Sequence, residues 1–349
     1  MNRVREWLLL FGSILLCTGC GSGNPAAPQG SSATSGAGEV VLFTSLDPLF
    51  SEPIVADFET QTGIKVKLQT DTEAAKTVGL VNRLIARKAH PECDVYWNNE
   101  VGQTLVLQAK DVLEAYVPQN AADIPDAYKD KSGWWTGFAA RARVILYNTE
   151  LVKPEDAPKS LEDLIDPRFK DQVVIAKPLF GTTYSHAAAL FAAWGPERAK
   201  DWFRKLKANG VKVAPGNAMA RNMVADGEAA VCLTDTDDAN GAFLKGRPVK
   251  MVYPDAAGIG TLVLPNSVAL IKGGPNPEHG KKLIEYLVSH AVEAKLAQSE
   301  SAQMPVRPGV KPYNAQFDPA QVKAMQVDWV KAAEQFPEVK RFVQEELNW

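Results

Sequence analysis

The chain has little with which to build a redox, zinc or nucleic-acid site. Only 4 cysteines and 4 histidines occur in 349 residues, and Cys17 and Cys20 both fall within the leader. Past the leader, Cys93 and Cys232 stand alone in apolar, strand-like surroundings. Two buried free thiols are therefore expected, since two cysteines make no disulfide framework. No CxxC pair follows the leader and no HxxxH spacing occurs, so nothing supports a structural zinc site. A net charge of −3 leaves no basic field, which argues against nucleic acid as a partner. No G-x-S-x-G elbow presents a nucleophile, and there is no internal repeat. The apolar run from Trp7 to Leu16 is too short to remain as a membrane-spanning helix.

What remains is an ordinary globular composition, 46% hydrophobic and 23% charged, in a chain long enough for two lobes with real cores. Arg3 and Arg5 before the apolar run, and small residues after it, form a secretory signal. Cys20, followed by Gly21-Ser22-Gly23, resembles the lipobox of bacterial lipoproteins, although Cys17 stands where that motif usually has an aliphatic residue. The resemblance implies cleavage after residue 19 and lipidation of Cys20. The implied location is outside the inner membrane, lipid-anchored, in the periplasm or at the cell surface. Residues 21–38 are Gly, Ser, Ala and Pro with no large apolar side chain, so they read as a flexible tether.

From Val40 onward, buried strands alternate with helices. Val40 to Ser45 is a first strand. Pro53 is placed to open a helix that Gly63 caps, and Ile64 to Leu68 alternates as a second strand. Thr77 to Ala89 carries Val78, Val81, Leu84 and Ile85 on one helical face, and Cys93 to Trp97 is a third strand. This βαβαβ succession predicts a parallel sheet with right-handed crossovers. Trp134-Trp135 leads through a crossing segment into a strand of a second sheet that ends at Asn148. Val173 to Ala176 is another strand, followed by a Gly181 to Ser185 loop and a helix from His186 to Trp194. Separate strands are expected at Leu262 to Leu264 and Val268 to Ile271, and a helix over Pro277 to His290.

The focus of the chain is Ala229 to Asp238. An apolar strand ends abruptly in Thr234-Asp235-Thr236-Asp237-Asp238, at the carboxyl end where α/β sheets hold ligands. Three carboxylates in four residues repel one another and need a compensating cation, basic neighbours or water. A solvated acidic loop is the plain alternative.

Several segments together resemble the periplasmic solute-binding proteins of ABC importers, specifically the ferric-ion-binding group. They are Phe58-Glu-Thr-Gln-Thr-Gly-Ile-Lys-Val66, Asp94-Val-Tyr-Trp97, Gly137-Phe-Ala-Ala-Arg-Ala-Arg-Val-Ile-Leu-Tyr-Asn148, Ser160-Leu-Glu-Asp-Leu164 with Asp166-Pro167, and Val268-Ala-Leu-Ile-Lys272. The resemblance implies an α/β fold of the two-lobe periplasmic-binding-protein type (type II). Each lobe is then a mixed sheet flanked by helices, hinged around a cleft. The lobes are expected at residues 39–138 plus 256–290 and 139–255 plus 291–349. A monomer delivering its solute to permease and ATPase subunits is implied. The metal ligands depart from the group's pattern. Asp237-Asp238 occupies the place of its adjacent tyrosines, Asp47 that of its histidine, and Glu100, or Asn99, that of its glutamate.

Four chemistries compete for the strand-end loops at 44–47, 71–72, 98–100, 181–185 and 235–238. Ferric iron as transported ligand would take oxygen ligands from Glu100, Asp237 and Asp238. An anion would sit at Gly181, Thr182, Thr183, Tyr184 and Ser185, before a helix N-terminus. A zwitterionic solute, such as a phosphonate or phosphate ester bearing an amine, would use both ends without metal. Its amine would go to Asp235 to Asp238, and Arg141, Arg143 or Arg221 would pair with the anion. Thr44, Ser45, Asp47, Asn98, Asn99, Asp235 and Thr236 are the further ligand-binding candidates, with Asp47 also offered as a metal oxygen. The most distant alternative is a hydrolase built on His186 and Ser185. No catalytic residue or catalytic cofactor is assigned.

Overall fold

The computed structural model describes residues 38–71 and 78–349. The signal, Cys20, the tether through residue 37, Thr72 and Thr77 lie outside the described residues.

Strand β1 (Glu39–Thr44) leads to α1 (Pro48–Thr62), β2 (Lys65–Thr70), α2 (Val78–Ala86), β3 (Val95–Asn98), α3 (Gly102–Ala109) and the short β4 (Leu113–Glu114). Parallel pairing of β1 with both β2 and β3 fulfils the βαβαβ reading. Helix α1 opens at Pro48, not at Pro53, which sits inside it. Proline suits a first helical position, where its missing N–H would have been unpaired anyway. The far end closes as expected: Gly63 adopts φ 72° and its N–H bonds Glu59 O at 2.8 Å, a left-handed cap that glycine takes without strain.

Next comes β5 (Thr136–Asn148), thirteen residues and buried throughout. Its Thr136 to Ala142 portion pairs antiparallel with β10 (Val263–Ile271). From Arg143 to Tyr147 it pairs with β8 (Val231–Asp235), and β9 (Val249–Val252) adds to its end. Strands β6 (Val173–Ala176) and β7 (Lys212–Ala214) extend the sheet from β8 in parallel. The order is β2-β1-β3-β10-β5-β8-β6-β7, so β5 belongs to both halves. The two strands expected over 262–271 are one, bent by a register shift at Pro265/Asn266. Such a bulge lets a proline, which has no N–H to give a ladder, sit within an interior strand.

Helices α4 (Gly181–Trp194), α5 (Pro196–Ala208), α6 (Asn217–Ala225) and α7 (Thr236–Phe243) cover the second half. The carboxyl-terminal part contains α8 (Pro277–Leu287), α9 (His290–Gln298) and α10 (Trp329–Arg341). The helix expected over 277–290 breaks at Ser289, whose side chain caps α9 by accepting from Val292 N at 3.4 Å. Helix α5 escaped sequence reading, although its amphipathic face buries Ala199, Trp202, Phe203 and Leu206. Trp135 packs with Tyr96, Leu113 and Ala269, consistent with a packing role at the crossing. Cys93 and Cys232 are free and buried; burial drives both thiols far above their ordinary pKa, so neither supplies a thiolate. Among the described residues no helix is long and apolar enough to cross a membrane.

Candidate functional site

Two local rules place the chemistry. Alternate residues of a strand face the same side, so Arg141-Ala-Arg143 sends two guanidinium groups from β5 toward one region. Across the ladder, Arg143 lies directly opposite Asp235, the last residue of β8. Its Nη1 donates to Asp235 Oδ1 at 2.7 Å, with both side chains buried. Asp235 then gives way to α7 at once. The acidic stretch is a helix start, not a loop, and Asp237 and Asp238 lie in its first turn. Negative charge is favoured there by the exposed N–H groups of the helix end.

Each aspartate of the stretch has an arginine. Arg141 Nη1 is 3.1 Å from Asp237 Oδ2, and Arg221 Nη1 is 3.8 Å from Asp238 Oδ1. Thr234 Oγ1 donates to Asp238 Oδ2 at 3.0 Å. The three carboxylates can place oxygens within 4.8 Å of one another. Burial first, and then the charges of Asp237 and Asp235, push the Asp238 carboxyl up to about 7, against the pull of Arg221 and Thr234. For Arg141, burial disfavours the charge, but Asp237, Asp235 and Asp47 outweigh it and hold the guanidinium protonated.

A raised folded-state pKa contributes stability that is complete below the ordinary value of 3.8 and is lost as pH rises through about 7. Asp238→Asn is therefore expected to flatten the decline in stability across that window. Urea midpoints at pH 4, 5.5 and 7.5 would read it, and a variant retaining the wild-type slope would contradict the assignment.

These groups face a cavity of about 330 Å³. The β1–α1 turn contributes Asp47, the β3–α3 turn Asn99, β5 Arg141, and the acidic stretch Asp235, Asp237 and Asp238. The first turn of α4 contributes Gly181, Thr182 and Thr183, and the start of α6 Gly216, Asn217 and Met219. The segment Gly181 to Ser185 is thus helix, not the preceding loop; Gly181 takes φ 53°, a conformation glycine adopts without a side-chain clash. Asn217, at an α6 start announced by Pro215-Gly216, and Lys177 after β6 also line the cavity. Neither was singled out from sequence, although Pro-Gly-Asn ahead of a helical pattern is a usable turn signal.

Polar donors at the cavity wall are unequally engaged. Thr182 Oγ1 donates to Asp235 Oδ2 at 2.5 Å, and Asn217 Nδ2 reaches the same oxygen at 2.9 Å. Thr183 Oγ1 donates to Asn217 Oδ1 at 3.0 Å. Arg141, only 4% exposed, keeps Nε and Nη2 without a hydrogen-bond partner. Those two N–H groups form the planar fork that suits carboxylate or phosphate.

The remaining sequence candidates lie apart from the cavity. Ser45 Oγ donates to Asn98 Oδ1 at 2.6 Å and accepts from Asn99 N at 2.9 Å. Thr44 Oγ1 accepts from Leu46 N at 3.1 Å, and Thr236 Oγ1 from Ala142 N at 3.2 Å. Tyr184 OH donates to Phe336 O of α10 at 2.7 Å. Glu100, fully buried, accepts from Asn98 Nδ2 at 2.8 Å, Gln103 N at 2.9 Å, Gly102 N and Ser185 Oγ at 2.6 Å. Its carboxylate closes the start of α3 and ties it to α4; burial still raises its pKa. Glu100 is not brought to Asp237 and Asp238, because four internal donors already hold it. Ser185 donates to Glu100, and buried His186, kept neutral by burial and by Arg143, has no hydrogen-bond partner at Nδ1. A serine whose proton is engaged by a carboxylate is not arranged as a histidine-activated nucleophile.

A second, larger cavity of about 720 Å³ lies where α3, α4 and α10 meet, walled mainly by apolar groups such as Val106, Leu179 and Phe336. It holds none of the arginine–aspartate pairs. Convergent polar groups therefore make the smaller cavity the candidate solute site.

Residues 100–335 match the family model described as bacterial extracellular solute-binding protein. Iron uptake protein A1 of Synechocystis sp. is 31% identical over 291 residues, covering 78% of this chain and 77% of that protein. A putative 2-aminoethylphosphonate-binding periplasmic protein of Salmonella typhimurium is 28% identical over 265 residues, covering 72% and 74%. Iron-bound HitA from Pseudomonas aeruginosa superposes with a TM-score of 0.78 at 24% identity, over 88% of this chain and 99% of that one. The fold is accordingly the two-lobe type II periplasmic-binding-protein fold. By the extent of these matches and the sheet that carries the site, the chain belongs to the bacterial extracellular solute-binding protein family.

Proposed function

We propose that this chain is the solute-capturing lipoprotein of an ABC import system, tethered through Cys20, and that its cargo is ferric iron taken together with an oxyanion. On this reading the lobes divide at residues 138/139, 255/256 and 290/291, and closure around the cargo presents a shape that the permease recognises. The observation that carries the reading is one cavity holding two complementary features. Three aspartates can bring oxygens within 4.8 Å, and beside them Arg141 offers an unoccupied buried fork. Carboxylates are hard oxygen ligands suited to a ferric ion, and the fork suits the anion that balances it. Because Asp235 is held by Arg143, the metal falls to Asp237 and Asp238, with Asp47 across the cavity. No turnover is part of this function.

A second reading is favoured by the same juxtaposition of charge. A zwitterionic phosphonate or phosphate ester would put its anion on Arg141 and its amine among Asp47, Asp237 and Asp238, without metal. Thermal unfolding of the chain from Gly38 onward separates the two. A ligand at a hundred times its Kd adds about 2.7 kcal/mol of apparent stability. Stabilisation by ferric ion with citrate or phosphate is expected, lost in Asp237→Asn/Asp238→Asn. Stabilisation by aminophosphonates in chelator-treated buffer, with none by ferric ion, would replace iron by the organic solute.

A further inference from the structure

We infer that Asp235 is a built-in anion: its carboxylate fills the seat at the first turns of α4 and α6 and confines the anionic part of any solute to Arg141. This rests on the reading that the smaller cavity takes the solute.

The donors tell the two places apart. At the α4–α6 seat, Thr182 Oγ1 and Asn217 Nδ2 both point to Asp235 Oδ2, at 2.5 and 2.9 Å. The charge there is balanced by Arg143, 2.7 Å from Asp235 Oδ1 and also 3.2 Å from Thr182 Oγ1. Sheet register fixes the arrangement, because Arg143 and Asp235 are opposed residues of β5 and β8. An incoming oxyanion would meet a carboxylate already using its donors, and like charges at such a distance repel strongly. The Thr182 hydroxyl that the sequence offers to a solute, and the Asn217 amide beside it, are turned inward. At Arg141, a residue of the same cavity wall, the reverse holds, since its Nε and Nη2 are buried without a hydrogen-bond partner in the protein. Asp235 therefore acts as a specificity determinant. With asparagine in its place, the side chain could donate as well as accept, the Arg143 charge would be released, and a second oxyanion seat would open.

Isothermal titration with inorganic phosphate in metal-free buffer tests this on the chain from Gly38 onward. In the wild type, Thr182→Val is expected to change phosphate affinity less than twofold. Asp235→Asn is expected to bind phosphate at least tenfold more tightly, and adding Thr182→Val should take that gain away. A tenfold weakening by Thr182→Val in the wild-type background would overturn the inference, as would a folded Asp235→Asn that gains nothing. If Asp235→Asn does not fold alone, refolding it in phosphate and in chloride at equal ionic strength reads the same seat. Recovery in phosphate only supports the built-in anion, and recovery in neither overturns it. Ferric titration of the wild type reads the proposed cargo separately; its failure would remove iron and leave the phosphate comparison standing.

Discussion

Arg141→Met should lose solute binding by about 30-fold or more, because truncating one partner of a buried charge pair costs about 2–5 kcal/mol. Methionine keeps much of the stem's packing but removes the unpartnered fork and the cation beside Asp237. Affinity is thus struck twice, through the anion and through a partly buried Asp237 that loses its guanidinium neighbour. Arg141→Lys separates these effects. Lysine restores a positive charge near Asp237 but offers a point charge where the fork offers two fixed, coplanar donors. Calorimetric titration with whichever solute the wild type binds should find the lysine variant as stable as wild type yet still weak in binding. Wild-type affinity in Arg141→Lys would show that a simple charge suffices and that the fork plays no part.

The second large effect is on folding. Arg143→Met leaves Asp235 inside the protein with Thr182 and Asn217 as its remaining donors. Breaking a buried pair from one side costs about 3–5 kcal/mol, a large share of the 5–15 kcal/mol typical of a whole domain. Replacing both partners, as in Arg143→Met/Asp235→Asn, removes the stranded charge and should recover most of that loss. Urea unfolding of the wild type, both single variants and the double variant closes the cycle. A loss below about 1 kcal/mol in Arg143→Met would indicate a pair that water reaches, in the range of exposed ion pairs.

Much of this site was legible because it follows short-range rules. Arg141-Ala-Arg143 on a strand and Asp235 at a strand end are placed by alternation and by the switch from apolar to polar residues. The ferric-group resemblance pointed to the cleft between lobes. What sequence could not supply was which donor faces which acceptor. Ser45, Asn98, Glu100 and Ser185 have the residue types of a binding site, yet they bond to one another. Only distances among residues remote in the chain reveal that. The helix starts at Gly181 and Thr236 were read as loops because glycine and clustered aspartates are turn residues by local preference. Here the turn preference is satisfied within the first helical turn itself. Asn217 was missed because its partners, Thr182 and Asp235, come from two other elements.

The unbroken course of β5 also bears on how the molecule comes apart. Its early residues hold β10 and its later ones hold β8 and β9, so neither half can melt without exposing a strand on which the other depends. Strand β10 in turn completes the edge of β3, a partner about 170 positions earlier in the chain. A fragment ending near residue 138 would lack that neighbour and present β3 unpaired, an invitation to aggregate. Heating the intact chain should therefore give one calorimetric transition whose van't Hoff and calorimetric enthalpies agree, despite the two lobes.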